Sequence, residues 1–284
     1  MPLQSSTDPL DVSAMTVVVT GAAGGLGGEI AAKMSAHGAS VVAVDLDEKA
    51  AQRIIDELPD RGSSYAVQVD LRSPDAVSAA FASIFERSGQ VHGLVNCAGV
   101  REIGSILDIS VAEWQNVIGI NLTGTFLCCR EVAQHMTDAL AEEPESFGRR
   151  FITNIASVAA SLGIPARPAY NASKHGIVGL TKNLATDLGR RGVRVNAIAP
   201  GTIRTPLTES YYSDEGFLDG LRLMVPMGTR GAASDIGYAA LFLASPMASF
   251  VNGAVLTVDG GFASTKSYSA AGPDSPYLKT HSTV

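Results

Sequence analysis

Seven short runs rich in β-branched residues recur along the chain, at 16–20, 40–44, 65–69, 93–96, 150–155, 194–198 and 254–257. Between them lie longer segments with helical spacing, at 26–37, 48–58, 74–87, 111–140, 169–190 and 234–243, the fourth broken near Gly119 to Asn121. A strand that is apolar throughout is buried on both faces, and joining parallel neighbours needs a crossover long enough to hold a helix. The alternation therefore predicts an α/β fold with one parallel sheet covered by helices on both sides. Local punctuation agrees. Gly38 stands where the first helix should stop, and Ser73-Pro74 reads as an N-cap followed by proline at the first helical position.

A chain of 284 residues with 46% hydrophobic content can bury a sizeable core without disulfides or metal. Cys97, Cys128 and Cys129 offer neither a disulfide framework nor zinc spacing, and the five histidines form no HxxxH pair, so no metal site is expected. A net charge of −7 disfavours nucleic acid as a partner. No stretch reaches the roughly 18 apolar residues of a membrane span. The first thirteen residues have no basic start and no apolar run, so the reading is a soluble cytoplasmic protein without a membrane partner. The expected organisation is a tail over 1–13, a catalytic domain over 14–263 and a tail over 264–284. No internal repeat is visible, and the polar segment 141–149, with Glu142, Glu143 and Glu145, reads as a solvated insertion.

The first strand runs straight into Thr20-Gly21-Ala22-Ala23-Gly24-Gly25-Leu26-Gly27-Gly28, where a helix begins. Glycine lets the backbone turn tightly and approach a pyrophosphate, and the helix N-terminus offers free N–H groups and the positive end of its dipole. A glycine-rich run between strand and helix is a much stronger sign of a dinucleotide site than such a run alone. Gly21, Gly25, Leu26 and Gly27 are the candidate phosphate contacts. The second strand closes on Asp45, where a carboxylate can accept from ribose hydroxyls or cap the next helix. At about 4 Å and an effective dielectric of ~20 it would repel a 2′-phosphate by roughly 4 kcal/mol, and Leu46 brings no compensating cation. The expected cofactor is NAD rather than NADP. Asp70 and Leu71 end the third strand, the carboxylate placed to meet an adenine amino group or to cap. Asn96, Ala98 and Gly99 end the fourth at the sheet edge where open α/β folds bind ligands. Pro200 and Gly201 end the sixth, leaving Ile203 and Thr205 to flank a nicotinamide.

Tyr170 and Lys174 stand four apart in a helical segment and share one face. That spacing alone is weak evidence, but here it opens the helix after the fifth strand, and Ser157 lies just past that strand. Hydride transfer to a carbonyl leaves negative charge on oxygen, so a donor must face that oxygen and a proton must arrive. A phenol is a poor base at neutral pH, and a nearby ammonium favours the phenolate. Tyr170 is the candidate general acid/base, Lys174 the charge beside it with reach to the nicotinamide ribose, and Ser157 a second donor to the substrate oxygen. Asn121 sits in a helix-like stretch that an amide disfavours. Either a local break that positions water against Lys174 or an ordinary buried amide accounts for it.

Thr20-Gly21-x-x-x-Gly25-x-Gly27, Asp70, Asn96-Cys97-Ala98-Gly99, Asn121, Ser157, Tyr170-x-x-x-Lys174 and Pro200-Gly201 run in this order within residues 12–263. As a set they resemble the single-domain branch of the short-chain dehydrogenase/reductase family. The resemblance implies a Rossmann-type, doubly wound sheet of seven strands in the order 3-2-1-4-5-6-7. It implies a tetrad of Asn121, Ser157, Tyr170 and Lys174 in which Asn121 holds a proton-relay water. It also implies a homotetramer, or homodimer, paired through the long helices carrying Asn121 and Tyr170. Cys97 departs from the pattern, where a second Asn is more usual, and the tail beyond about residue 263 is not explained by it.

The function expected is NAD-dependent oxidation of a secondary alcohol, or reduction of its ketone. The substrate should lie above Ser157 and Tyr170, beneath a loop over 206–228 whose Leu207, Tyr211, Tyr212, Phe217, Leu221, Met224 and Met227 can close over a small hydrophobic molecule. Arg101 is placed either to meet a substrate carboxylate or to lie on the surface. A cyclic or aryl secondary alcohol is favoured; hydroxyacyl, sugar and steroid substrates are alternatives. A non-catalytic NAD-binding sensor would be expected to lack Ser157, Tyr170 or Lys174, an epimerase to have a larger C-terminal domain, and a hydrolase to show G-x-S-x-G.

Overall fold

The computed structural model describes residues 8–142, 148–206 and 208–264. The expectations for the two tails beyond these limits, for Glu143 and Glu145, and for the side chains of Glu142, Leu207 and Tyr211 lie outside the described residues. The elements are β1 (Thr16–Thr20), α1 (Gly25–Ala36), β2 (Ser40–Asp45), α2 (Glu48–Asp56), β3 (Tyr65–Gln68), α3 (Pro74–Ser88), β4 (Gly93–Asn96), α4 (Val111–Ile118), α5 (Thr125–Glu142), β5 (Arg150–Ile155), α6 (Pro168–Gly189), β6 (Val193–Pro200), β7 (Ile203–Arg204), α7 (Glu215–Met224), β8 (Gly231–Ala232), α8 (Ala233–Ala244) and β9 (Val255–Val258).

Successive side chains of a strand face opposite sides of the sheet, and the two sides fill different cores. Val17, Val19, Val41 and Ala43 pack with Ile30 and Met34 of α1, Ile55 of α2 and Leu241 of α8. Val18, Val42 and Val44 pack with Phe81 of α3, Val132 and Met136 of α5 and Leu188 of α6. The result is a doubly wound parallel sheet in the order β3-β2-β1-β4-β5-β6-β9, as expected. Chain direction across the sheet reverses between β1 and β4, which opens a crevice at their carboxyl ends.

Helix starts follow their side chains. Asp47, Ser73, Ser110 and Asp214 cap α2, α3, α4 and α7 by accepting backbone N–H bonds. The cap of α2 is Asp47, so Asp45 is not spent on that task. The break expected in the fourth helical segment is a π-helical stretch over Gly119–Gly124 that joins α4 to α5. The segment 206–228, read as a loop, contains α7. It leaves and rejoins the fold through the two-residue parallel ladder of β7 with β8, which clips its base.

Candidate active site

One cavity of about 820 Å³ runs along the carboxyl edge of the sheet from Asp45 and Asp70 to Ser157 and Tyr170. That size lies within the roughly 300–1,000 Å³ of small-molecule sites. Gly21, Gly25, Leu26, Gly27, Leu71, Ala98, Gly99, Pro200, Gly201, Ile203 and Thr205 line it, as does Arg101.

The glycine turn works by close approach. Gly21 has φ +66°, and a Cβ there would lie 2.6 Å from the Ala98 Cα; a side chain would force β1 and β4 apart just where the crevice opens. A Cβ on Gly25 would lie 2.8 Å from the Pro206 Cδ, so the turn also touches the far wall. α1 starts at Gly24 without a side-chain cap and without an acidic residue in its first turn. Its first N–H groups therefore face the cavity with the positive end of the helix dipole.

At the end of β2, the Asp45 carboxylate accepts the N–H of Ala23 at 3.0 Å and that of Asp47 at 3.2 Å, which fixes it beside the glycine turn. Asp70 binds the Arg72 guanidinium through both oxygens, at 2.9 Å to Nε and 2.7 Å to Nη2. The hydrogen bonds from Arg72 hold its carboxyl below the usual carboxylate range. Asp70 thus lines the cavity as one half of an ion pair.

Ser157 lies just past β5 and accepts the N–H of Ala159 at 3.1 Å, leaving its own proton to donate. Tyr170 opens α6 one turn before Lys174. Lys174 is 4% exposed, donates to the Ile155 carbonyl at 2.7 Å, and holds its Nζ 5.5 Å from the centre of the Tyr170 ring. Ser157, Tyr170 and Lys174 all line the cavity.

Two expectations are corrected in their details. Asn96 does not face the cavity. It is 3% exposed, and its amide donates to Asn154 Oδ1 at 2.8 Å and to Cys129 Sγ at 3.2 Å, because the alternation of β4 turns it into the core. The Asn121 side chain is likewise committed to the protein: Oδ1 accepts the Val100 N–H at 2.8 Å, and Nδ2 donates to the Val100 carbonyl and to Ser173 Oγ. Both Nδ2 protons are thereby used, while Oδ1 keeps a second lone pair near Lys174: a Cβ on Gly99 would lie 3.4 Å from Asn121 Oδ1 and 3.7 Å from Lys174 Nζ. Thr205 Oγ1 pairs with Thr208 Oγ1 at 3.2 Å. Of the apolar residues in the loop, Phe217, Leu221 and Met224 line the cavity, Tyr212 packs edge-on against Phe217, and Met227 turns outward, 74% exposed.

A family model described as enoyl-(acyl carrier protein) reductase matches residues 21–263. The chain is 38% identical over 246 residues to D-threitol dehydrogenase of Mycolicibacterium smegmatis, covering 86% of this chain and 91% of that one. It is 39% identical over 254 residues to 3beta-hydroxysteroid dehydrogenase 1 of Eggerthella lenta, covering 88% and 94%. The structure of a gluconate 5-dehydrogenase from Burkholderia cenocepacia, in complex with NADP and tartrate, superposes with a TM-score of 0.84 at 31% identity, covering 91% and 99%. The chain belongs to the short-chain dehydrogenase/reductase family. This short-chain dehydrogenase/reductase is an oxidoreductase acting on hydroxyl groups with a nicotinamide nucleotide as cofactor.

Two neighbours of Tyr170 were not anticipated from the sequence. Glu102 is 6% exposed, and its Oε1 accepts the N–H groups of Ala169 at 2.6 Å and Tyr170 at 3.1 Å. It caps α6 from 68 residues away, a distance no local capping signature covers. Arg167, the residue before Pro168, also lines the cavity and was not anticipated. Cys97 lines it too, and burial pushes its thiol up to about 12, which disfavours the thiolate.

Proposed function

We propose that the protein is an NAD-dependent dehydrogenase/reductase that interconverts a secondary alcohol and its ketone, with Tyr170 as general acid/base. The observation that carries this is the meeting of Ser157, Tyr170 and buried Lys174 in the same cavity as an uncapped, glycine-opened helix.

The cavity fits a dinucleotide on its own chemistry. The free N–H groups at the start of α1 suit a pyrophosphate, and the Gly21 turn leaves the backbone bare where phosphate oxygens approach. Gly21, Gly25, Leu26, Gly27, Asp45, Asp70, Leu71, Ala98, Gly99, Pro200, Gly201, Ile203, Thr205 and Lys174 are the residues that would hold it. When bound, it supplies the hydride acceptor or donor. Ser157 donates to the substrate oxygen in both directions; during reduction the Tyr170 phenol gives that oxygen its proton, and during oxidation the Tyr170 phenolate takes the alcohol proton. Lys174 puts a cation beside that phenol, so charge left on the oxygen meets its opposite.

NAD is preferred over NADP on charge. Asp47 lines the cavity beside Asp45, and Arg72, the cation that lines that end, is bound to Asp70. A 2′-phosphate would meet two carboxylates there. The NADP in the gluconate 5-dehydrogenase structure makes this preference the point to test first.

We also propose that the protein is a homotetramer. Val111, Trp114 and Phe126 expose apolar surface along α4 and α5, and Tyr238, Met247 and Phe250 do so near α8 and the β9 edge.

The deciding experiment is oxidation of a panel of secondary alcohols with NAD, followed by NADH absorbance. Tyr170→Phe should lower turnover by roughly 10²–10⁴ while cofactor still binds; near-normal turnover would refute the acid/base role.

A further inference from the structure

We propose, on the dehydrogenase reading above, that Glu102 is a positioning residue for the reaction: it holds the first turn of α6 so that the Tyr170 phenol stays in place between Ser157 and Lys174.

The start of α6 is where Tyr170 is least held by its own helix. The N–H groups of a first turn have no partner within the helix, and the proline that opens this one brings no N–H at all. No side chain at the N-cap makes a capping bond. The N–H groups of Ala169 and Tyr170 go instead to one atom, Glu102 Oε1, at 2.6 and 3.1 Å. The other carboxyl oxygen, Oε2, is buried and makes no hydrogen bond among the described residues. All the bonding of this side chain is thus directed at the turn that carries Tyr170.

The segment that carries Glu102 is itself held. Asn121 accepts the N–H of Val100 and donates to its carbonyl, at 2.8 and 2.9 Å, two residues before Glu102. The same amide donates to Ser173 Oγ at 3.1 Å, and that hydroxyl donates to the Tyr170 carbonyl at 2.8 Å. Beyond Glu102, the Gly104 N–H donates to the Ala166 carbonyl at 3.0 Å. Tyr170 is therefore tied at its N–H by Glu102 and at its carbonyl by Ser173. Both ties lead back to one side chain in the π-helical stretch Gly119–Gly124. Asn121 and Ser173 are fully buried and Glu102 is nearly so, which keeps water from competing for these bonds.

A phenolic oxygen stands at the end of a long side chain, so a small tilt of the backbone displaces it. Reacting groups must be held to within about 0.5 Å and 10–20°, and a misplacement of about 1 Å can cost 10²-fold in rate. Lys174 lies one turn further into the helix with its Nζ on the Ile155 carbonyl, and Ser157 follows β5. A loosened first turn would move Tyr170 against two partners that stay put.

The test uses the full chain with NAD and the secondary alcohol that the unmodified protein oxidises fastest. It reads NADH formed in a single turnover, at a temperature where circular dichroism shows each variant folded. Glu102→Ala is expected to slow this step by at least about tenfold, while the dissociation constant for NADH changes by less than about twofold. Glu102→Gln keeps an acceptor for the two N–H groups and is expected to stay within about threefold of the unmodified rate. Glu102→Asp keeps the acid but shortens its reach, and is expected to be slower than Glu102→Gln. A merely structural residue would lower the melting point without producing this order. A smaller effect of Glu102→Ala, or weakened NADH binding in place of a slower step, overturns the proposal. So does Glu102→Gln as slow as Glu102→Ala or slower than Glu102→Asp, which would assign the effect to charge. If Glu102→Ala does not fold, the order of the other two decides. NADH from no alcohol overturns the proposal together with the dehydrogenase reading, and hydrogen exchange at the Ala169 and Tyr170 amides tells the two failures apart. Exchange at least about tenfold faster in Glu102→Gly or Glu102→Ala than in the unmodified protein shows the turn held as described and the chemistry misassigned; equal exchange shows that the hold itself fails.

Discussion

Lys174 is a cation held almost wholly out of water, and among the described residues no carboxylate pairs with it. Desolvating an ammonium costs several kcal/mol, and a single bond to the Ile155 carbonyl offsets only part of that. A residue retained at such cost, beside a phenol and at the end of a cavity, marks a functional site more strongly than its sequence spacing does. Asp45 argues the same way from the opposite charge. Two backbone N–H groups fix its carboxylate against the glycine turn, so it cannot swing aside to admit another anion. Asp45→Ala should therefore relax discrimination against NADP by up to about a thousandfold, the equivalent of roughly 4 kcal/mol. The ratio of kcat/KM for the two cofactors measures it, and an unchanged ratio would place selectivity elsewhere.

At the level of the element, α6 illustrates what a sequence can and cannot reveal. Its span, to within a residue at each end, and the shared face of Tyr170 and Lys174 were readable because each depends on residues within a turn or two. Its cap was not, because Glu102 lies on another segment and only tertiary packing brings it to Ala169 and Tyr170. Asn96 was misplaced for a related reason: a buried strand is apolar on both faces, so periodicity does not tell which side a residue takes. Asn121 was found through its awkward position in a helix, yet what its amide binds required the path of the Val100 backbone. The excursion between β7 and β8 was expected to close over the substrate, and Phe217, Leu221 and Met224 line the cavity, while α7 within it was not foreseen. Its apolar residues suggested only a closing surface, and its start depends on a single Asp214 cap. Removing the remote cap should be measurable. Glu102→Ala leaves two N–H groups without their acceptor, and urea denaturation should show a loss of about 1–3 kcal/mol. A second element carries a pH dependence. The His135 ring stacks on Phe85 at 4.0 Å and accepts the Val91 N–H through Nε2. Burial, with the Arg150 charge, lowers its pKa below the usual 6.5. The folded state therefore resists protonation more than the unfolded chain, and stability should fall as pH drops below about 6.5. A His135→Gln variant should lose that part of the slope.

For the molecule as a whole, the sheet ends at two edges, β3 and β9, and the apolar surface is not spread evenly around it. Besides exposed apolar residues before α4 (Ile103, Ile106, Leu107) and at the end of α7 (Leu223, Met227), one patch follows α4 and α5 and another lies near α8, where Phe250 is fully exposed. Two self-matching faces related by different axes close into a tetramer, and one alone closes into a dimer. Sedimentation equilibrium should therefore give four copies, with Phe126→Glu and Phe250→Glu each reducing the assembly to pairs. A monomeric parent protein would remove the basis for both.

The bare first turn of α1 reaches beyond catalysis. Every other helix start discussed above is satisfied by its own chain, but this one has no side-chain cap, and on the function proposed above an incoming phosphate completes it. Occupancy and folding are therefore linked: at a hundredfold excess over its dissociation constant, a ligand adds about 2.7 kcal/mol to the native state. The melting point of the protein then becomes a gauge of how much dinucleotide surrounds it, and starvation for that nucleotide would make the enzyme the easier prey for proteases.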